Sequence, residues 1–197
     1  MRFATSIAVL GFFLTTAAPT FAEEDPGFRD LSVEQVKAYH AGSQKQSSLK
    51  LTASVNRRDM TYARGETLKL RVQTNEDAYV TVFNVGPTGK ITQLFPNSFQ
   101  KDNLVKANSE TEIPSPNGKA EIKISGDLGG EVIKIFASDK PLKLVPETML
   151  SSGEVFVAVK SDVGEFVRNL EVTTAAPTTS GQKISIVNMA VKTVASR

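Results

Sequence analysis

The chain has 197 residues, 40% of them hydrophobic and 22% charged, which fits one globular domain with a sizeable core plus a leader. Its formal charge of +2 is spread along the chain with no basic run longer than Arg57-Arg58, so nucleic acid and anionic membrane are poor partners. With no Cys and a single His, the sequence excludes disulfides, cysteine nucleophiles, thiolate metal sites and clustered imidazole ligands, and no metal or cofactor is expected.

Met1 to Ala22 read as a secretory signal. Arg2 supplies the positive start, Ile7 to Leu14 the short apolar stretch, and Thr20-Phe21-Ala22 a small-x-small cleavage site. A bilayer span needs about 20 apolar residues, and Thr15, Thr16 and Pro19 interrupt this one too early. Cleavage after Ala22 is expected to release a periplasmic or secreted protein with no stable membrane insertion. Residues 23–48 then form an arm and a short helix. Glu23 to Arg29 read as a loose polar arm. Ser32-Val33-Glu34-Gln35 is a capping box that starts a helix, and Gly42 stops it.

Residues 49–197 read as the main domain. Leu49, Leu51, Ala53 and Val55 alternate with polar residues, as do Leu68, Leu70 and Val72, giving two half-buried strands. Asn56 to Gly65 read as a charged loop in which Tyr62 closes one end of the core. Tyr79 to Val85 is apolar on both faces and belongs in the middle of a sheet. Gly86-Pro87-Thr88-Gly89 turns it into a returning strand, Ile91 to Phe95.

Pro96 to Asn108 is a long polar loop with Phe99 and Val105 as anchors. Glu110 to Ile113 is an edge strand, since Pro114 and Pro116 forbid a central place. Ala120 to Ile124 alternates again, and the run Val132 to Ala137 is apolar enough to be central. Val155 to Val159 is another strand. Asp162 opens a second helix over about Val163 to Val172, and Ala175 to Gly181 is a Pro-Thr-Ser linker. Ile184 to Val194 closes the chain, with a bulge expected at Ile186-Val187. These segments predict a mainly all-β fold: a two-sheet antiparallel sandwich, immunoglobulin-like, with two short flanking helices. Its interior is expected to hold Val, Ile and Phe and no chemically armed hollow.

Several phrases carry a family likeness. They are Asn56-Arg57, Tyr62 with Gly65-Glu66-x-Leu68, Tyr79 through Lys90, Gln93-Leu94-Phe95-Pro96-Asn97, Glu112-Ile113-Pro114, and Ile135 through Leu142. Together they resemble the bacterial family called domain of unknown function 4384, over a core of residues 49–144. The resemblance implies a sandwich-like module of exported proteins, joined in other members to protease, caspase-like or kinase domains or lying near secretion machinery. No partner domain of that kind is read in these residues. The family brings no catalytic residues to carry over. Read physically, Asn84 and Asn97 can bond turn backbone, and Phe83 and Phe95 fix the hairpin to the core.

The catalytic inventory is thin. His40 sits on the first helix, outside the sandwich, so a Ser-His-Asp triad has no base. Ser47-x-x-Lys50 and Ser98-x-x-Lys101 have the spacing of one serine hydrolase class, but one runs into a strand and the other lies in a loop. Glu110 and Glu112 share a strand side and read as surface charges. Gly126 to Gly130 lacks the Lys-Ser/Thr sequel of a phosphate loop. The expectation is an exported, non-enzymatic interaction module with a protein partner in the cell envelope or secretion machinery. The contacts are expected at a loop of Pro96, Asn97, Phe99, Lys101 and Asp102, at a hairpin tip of Gly86, Pro87, Gly89 and Lys90, and along an unpaired sheet edge. The alternatives are a small-molecule or glycan-binding sandwich and an envelope-polymer hydrolase.

Overall fold

The computed structural model describes residues 25–42, 47–151, 154–175 and 181–196. The expected leader and residues 176–180 of the linker lie outside the described residues. In chain order the elements are α1 (Val33–His40), β1 (Leu51–Val55), β2 (Thr61–Ala63), β3 (Thr67–Leu68), β4 (Leu70–Thr74), β5 (Ala78–Val85), β6 (Ile91–Phe95) and β7 (Leu104–Val105). They continue with β8 (Thr111–Ile113), β9 (Ile122–Lys123), β10 (Gly129–Ser138), β11 (Val157–Val159), α2 (Val163–Ala175) and β12 (Ile184–Val194).

The larger sheet has the order β11-β6-β5-β10-β12-β2, with β7 pairing the start of β5. Every pair in it is antiparallel except β12 with β2. A three-stranded antiparallel sheet, β1-β4-β8, lies against one face, and β3 pairs β9 in a two-stranded sheet. The protein is therefore mostly β, built from several antiparallel sheets with two helices. β5 and β10 are central, as their two-faced apolar character requires, and β8 is an edge strand, as its following prolines require.

Alternation divides the core into two. From the larger sheet, Val80, Val82, Ile133, Ile135 and Val191 meet Leu51, Leu70, Val72 and Ile113 of the smaller one. On the opposite face Phe83, Val85, Val132 and Phe136 pack with Ala38, Val163, Phe166, Val167 and Leu170 of the helices. The Phe83 ring lies edge-on to Phe166, centroids 5.1 Å apart, and to Phe136 at 6.3 Å. Helices thus form a covering layer over the central strands on one face of the larger sheet.

Several expectations change here. Residues 25–30 are no loose arm: the Asp25 carboxylate accepts the Ala190 N–H (2.8 Å), and the Gly27 N–H donates to the Ala190 carbonyl (3.2 Å). A Cβ at Gly27 would lie 2.3 Å from the Val191 oxygen, and one at Gly130 2.6 Å from the Gly27 oxygen, so the segment can lie on β10 and β12 only because both positions are glycine. Asn56 to Gly65 is not all loop. It contains β2, whose Tyr62 is fully buried, and three residues among charges are too few to show a period. The strand expected from Leu68 divides at Lys69, so β3 and β4 join different sheets. The Ile186-Val187 pair keeps register with β10 without a bulge. Ile186 packs on the helical core and Val187 on the inter-sheet core, which explains the two apolar residues. The register shift falls instead at Val82/Phe83 between β5 and β6. Phe99 is 52% exposed and anchors nothing, whereas Val105 is buried as expected. Helix α2 runs three residues beyond its expected end.

Two buried polar side chains fasten α1 to the sheet. Gln35 completes the expected capping box through Ser32, and its Nε2 donates to the carbonyls of Val85 (3.2 Å), Gly86 (3.0 Å) and Gly130 (2.8 Å). Lys134 on β10 is 0% exposed. Its Nζ donates to the Tyr39 carbonyl in the last turn of α1 (3.1 Å) and to Asn188 Oδ1 (2.7 Å), and it lies 5.5 Å from the Phe136 ring centroid. Neither hydrogen-bond acceptor is a carboxylate, and burial pulls the ammonium from its ordinary 10.5 down to about 7.

Gln35→Leu removes the donor to three carbonyls, and equilibrium urea unfolding is expected to show a loss of about 2–3 kcal/mol. For Lys134, the folded state binds fewer protons than the unfolded state between about pH 7 and 10.5. Stability relative to Lys134→Met should therefore rise with pH across that window and stay flat below it. Unfolding curves of the two proteins measured across the window check this; a constant difference contradicts it.

Candidate functional site

The smaller sheet does not cover the whole inner face of the larger one. At the end where the β5–β6 hairpin turns, the face opens into a groove of about 500 Å³. Its floor carries Asn84 and Thr92, which sit opposite each other on β5 and β6, then Glu131 and Ile133 of β10 and Val191 of β12. The β9 segment, Glu121 to Asp127, forms one wall, the hairpin residues Pro87, Thr88 and Lys90 a second, and Glu154 to Phe156 a third.

Each wall has a local cause. In the hairpin the Gly86 N–H donates to the Lys90 carbonyl and the Gly89 N–H to the Gly86 carbonyl, with Gly89 at φ +80, where a side chain would be strained. The β9 wall is held by Gly65 N–H to Ile124 O (2.7 Å), Ile124 N–H to Glu66 O (2.9 Å) and Arg64 Nε to Gly126 O (2.9 Å). Glu66 in turn pairs with Arg57, and Asn56 accepts the Tyr62 hydroxyl (2.8 Å), so the early motif residues brace this wall. Burial pushes the Tyr62 phenol up to about 12.

Glu131 is the chemically distinctive residue. It is 7% exposed, and its Oε2 accepts from Asn84 Nδ2 (2.8 Å) and its Oε1 from the Thr193 hydroxyl (2.6 Å). Both donors are neutral, and among the described residues no cation forms an ion pair with it. The groove as a whole is lined by four carboxylates, Glu121, Asp127, Glu131 and Glu154, against two ammonium groups, Lys90 and Lys123. At the rim Glu121 pairs with Lys123 (3.3 Å) and Asp127 approaches Arg64 (4.0 Å). Among the described residues no three His, Asp or Glu side chains are grouped to hold a metal ion.

The two expected contact segments are placed differently. The tip lines the groove directly through Gly86, Pro87 and Lys90, and Gly89 supplies its turn. The 96–102 loop lies at the far end of β6 and does not line the groove. It braces the third wall from behind, because the Ser98 N–H donates to the Val155 carbonyl (3.1 Å). Within the loop Asn97 is buried: Nδ2 donates to Leu94 O, and Oδ1 accepts from the N–H groups of Phe99 and Gln100. That is the turn-bonding role expected of it. Asp102 accepts the Leu104 N–H, while Phe99 and Lys101 face solvent. Asn84 departs from its expected role, since it bonds Glu131 and no turn backbone.

Glu131, Asn84 and Thr193 were not foreseen as a group, and a recess floored by a buried acid departs from the expected interior with no chemically armed hollow. The one signal available is a Glu immediately before an apolar run that must be central. His40 is an exposed helix residue, as expected, and packs edge-on to Phe28 and Tyr39.

Fold and groove together define a mostly-β sandwich module with a helical layer and one acid-floored recess at a strand end. Residues 61–141 match the family model described as Domain of unknown function (DUF4384), the family that the motifs resemble. No curated protein and no solved structure matches the chain. The matched stretch runs from β2 through β10 and supplies the tip, the β9 wall and Glu131.

Asn97→Ala is expected to destabilise the protein by about 1–3 kcal/mol, because it removes the acceptor of the Phe99 N–H, the side-chain donor to the Leu94 carbonyl and one of two acceptors of the Gln100 N–H. Phe99→Ala should cost less than about 0.5 kcal/mol. Thermal unfolding of the two variants checks the pair; equal losses contradict the division between a structural Asn97 and a surface Phe99.

Proposed function

We propose that this protein is an exported, non-enzymatic binding module of the bacterial envelope, and that the groove beside the hairpin tip is where it holds its partner. The observation that carries the reading is the groove itself. A sandwich end would ordinarily be closed by side chains, and here a recess of about 500 Å³ is kept open by three walls, each with its own hydrogen bonds. That volume is in the range of specific ligand sites. It holds one buried acid and accessible apolar surface from Val155 and Phe156, a combination suited to recognition.

Export rests on the Met1 to Ala22 pattern. The immunoglobulin-like reading of the sandwich rests on strand order. β1-β4-β8 facing β12-β10-β5-β6 follows the A-B-E and G-F-C-C′ arrangement of such domains. In that scheme α2 and β11 are an insertion between the last two strands. Small-molecule binding is the second reading, favoured by the apolar share of the groove lining.

A photo-cross-linking residue placed at Thr88 on the tip, with one at Ser54 on the outer face of the smaller sheet as control, tests the proposal in intact cells. The expected result is a discrete protein adduct from Thr88 and none from Ser54. Adducts from Ser54 alone, or from neither, would contradict it.

A further inference from the structure

The chemistry of the groove narrows what the partner presents. Glu131 lies in a sheet interior with both oxygens bonded only to neutral donors, Asn84 Nδ2 and Thr193 Oγ1. A buried carboxylate without a counter-ion is costly, and interiors normally supply one. Each oxygen has further acceptor capacity beyond its single bond. Of the lining carboxylates, Glu121 pairs with Lys123 and Asp127 approaches Arg64, which leaves Glu131 and Glu154 against Lys90 and a balance that favours a cation. Val155, which is exposed, and the half-buried Phe156 provide accessible apolar surface in the lining. A positive head on an apolar stem matches that profile, because the stem packs while the head reaches the acid.

We propose that the groove receives an arginine or lysine side chain from a protein partner, its cationic group pairing with Glu131. The proposal rests on the reading of the groove as the contact site and adds the chemistry of what enters it. A polypeptide source fits better than a free amine, since a recess of about 500 Å³ exceeds what one side chain fills and has room for the residues that flank it. The bond is an ion pair with no covalent step.

The test uses the mature protein and a capped pentapeptide, acetyl-Ala-Ile-Arg-Ile-Ala-amide. Its counterpart has citrulline, a neutral isostere, in place of arginine, and agmatine represents a free guanidinium compound. Binding is followed by backbone and Asn84 side-chain amide shifts in two-dimensional NMR. The arginine peptide is expected to move the amides of Asn84 and residues 130–133, and the citrulline peptide to bind about tenfold more weakly or worse. Glu131→Gln should bring the arginine peptide down to the level of the citrulline one. If that variant fails to fold, the peptide comparison on the wild type decides.

Equal binding of the arginine and citrulline peptides, or no movement of groove amides at millimolar peptide, overturns the cation. Agmatine binding as tightly as the arginine peptide overturns the polypeptide source. An adduct at Thr88 in cells together with equal peptide binding would leave the contact site standing while this inference falls. The two failures are thereby distinguishable.

Discussion

The fold turns on one strand that must be kept from water on both faces. β10 is buried along nine of its ten residues and hydrogen-bonded on both edges, to β5 and to β12. One face needs the smaller sheet and the other needs helices, and neither layer can be dispensed with at about 25 cal/mol per Å² of apolar surface. The N-terminal segment is recruited for the same reason. Gly27 and Gly130 allow close approach, Gln35 ties α1 to two strand ends, and Lys134 reaches the last turn of the helix from below.

The groove follows from where this cover stops. β10 continues toward Gly129 past the part of its inner face that the smaller sheet covers, so its residues there face the β9 wall. Ile133 still belongs to the inter-sheet core, and Glu131, two residues earlier on the same face, does not. The change from isoleucine to glutamate along one face marks the boundary between core and recess. Asn84 and Thr193 then satisfy the carboxylate laterally without neutralising its charge. Core packing and the recess's buried acid are thus set by alternate positions of one strand.

Much of this was legible in the residues. Two-faced apolar runs put β5 and β10 in the middle, prolines put β8 at an edge, and Ser32 with Gln35 marked the start of α1. What was hidden depends on long-range partners. Tyr62 reads as a loop residue because its strand has only three members and its partner, β12, is over a hundred positions away. Gln35 reads only as a cap, although three of its bonds go to carbonyls at least 50 positions distant. At the candidate site the tip was foreseen from its turn chemistry, whereas Glu131 was masked by the apolar run that follows it. No periodicity distinguishes an acid that begins a buried strand from one that ends a loop.

Residue-resolved native hydrogen exchange addresses the covering requirement most directly. If both layers are needed to keep β10 dry, the amides of Val36 and Ala41 in α1 should become exchangeable only when those of β5, β10 and β12 do, in one cooperative opening, with residues 121–127 opening separately and more readily. Fast, independent exchange of α1 over a sheet that stays fully protected would show that the helical layer is ornamental, and the account would fail.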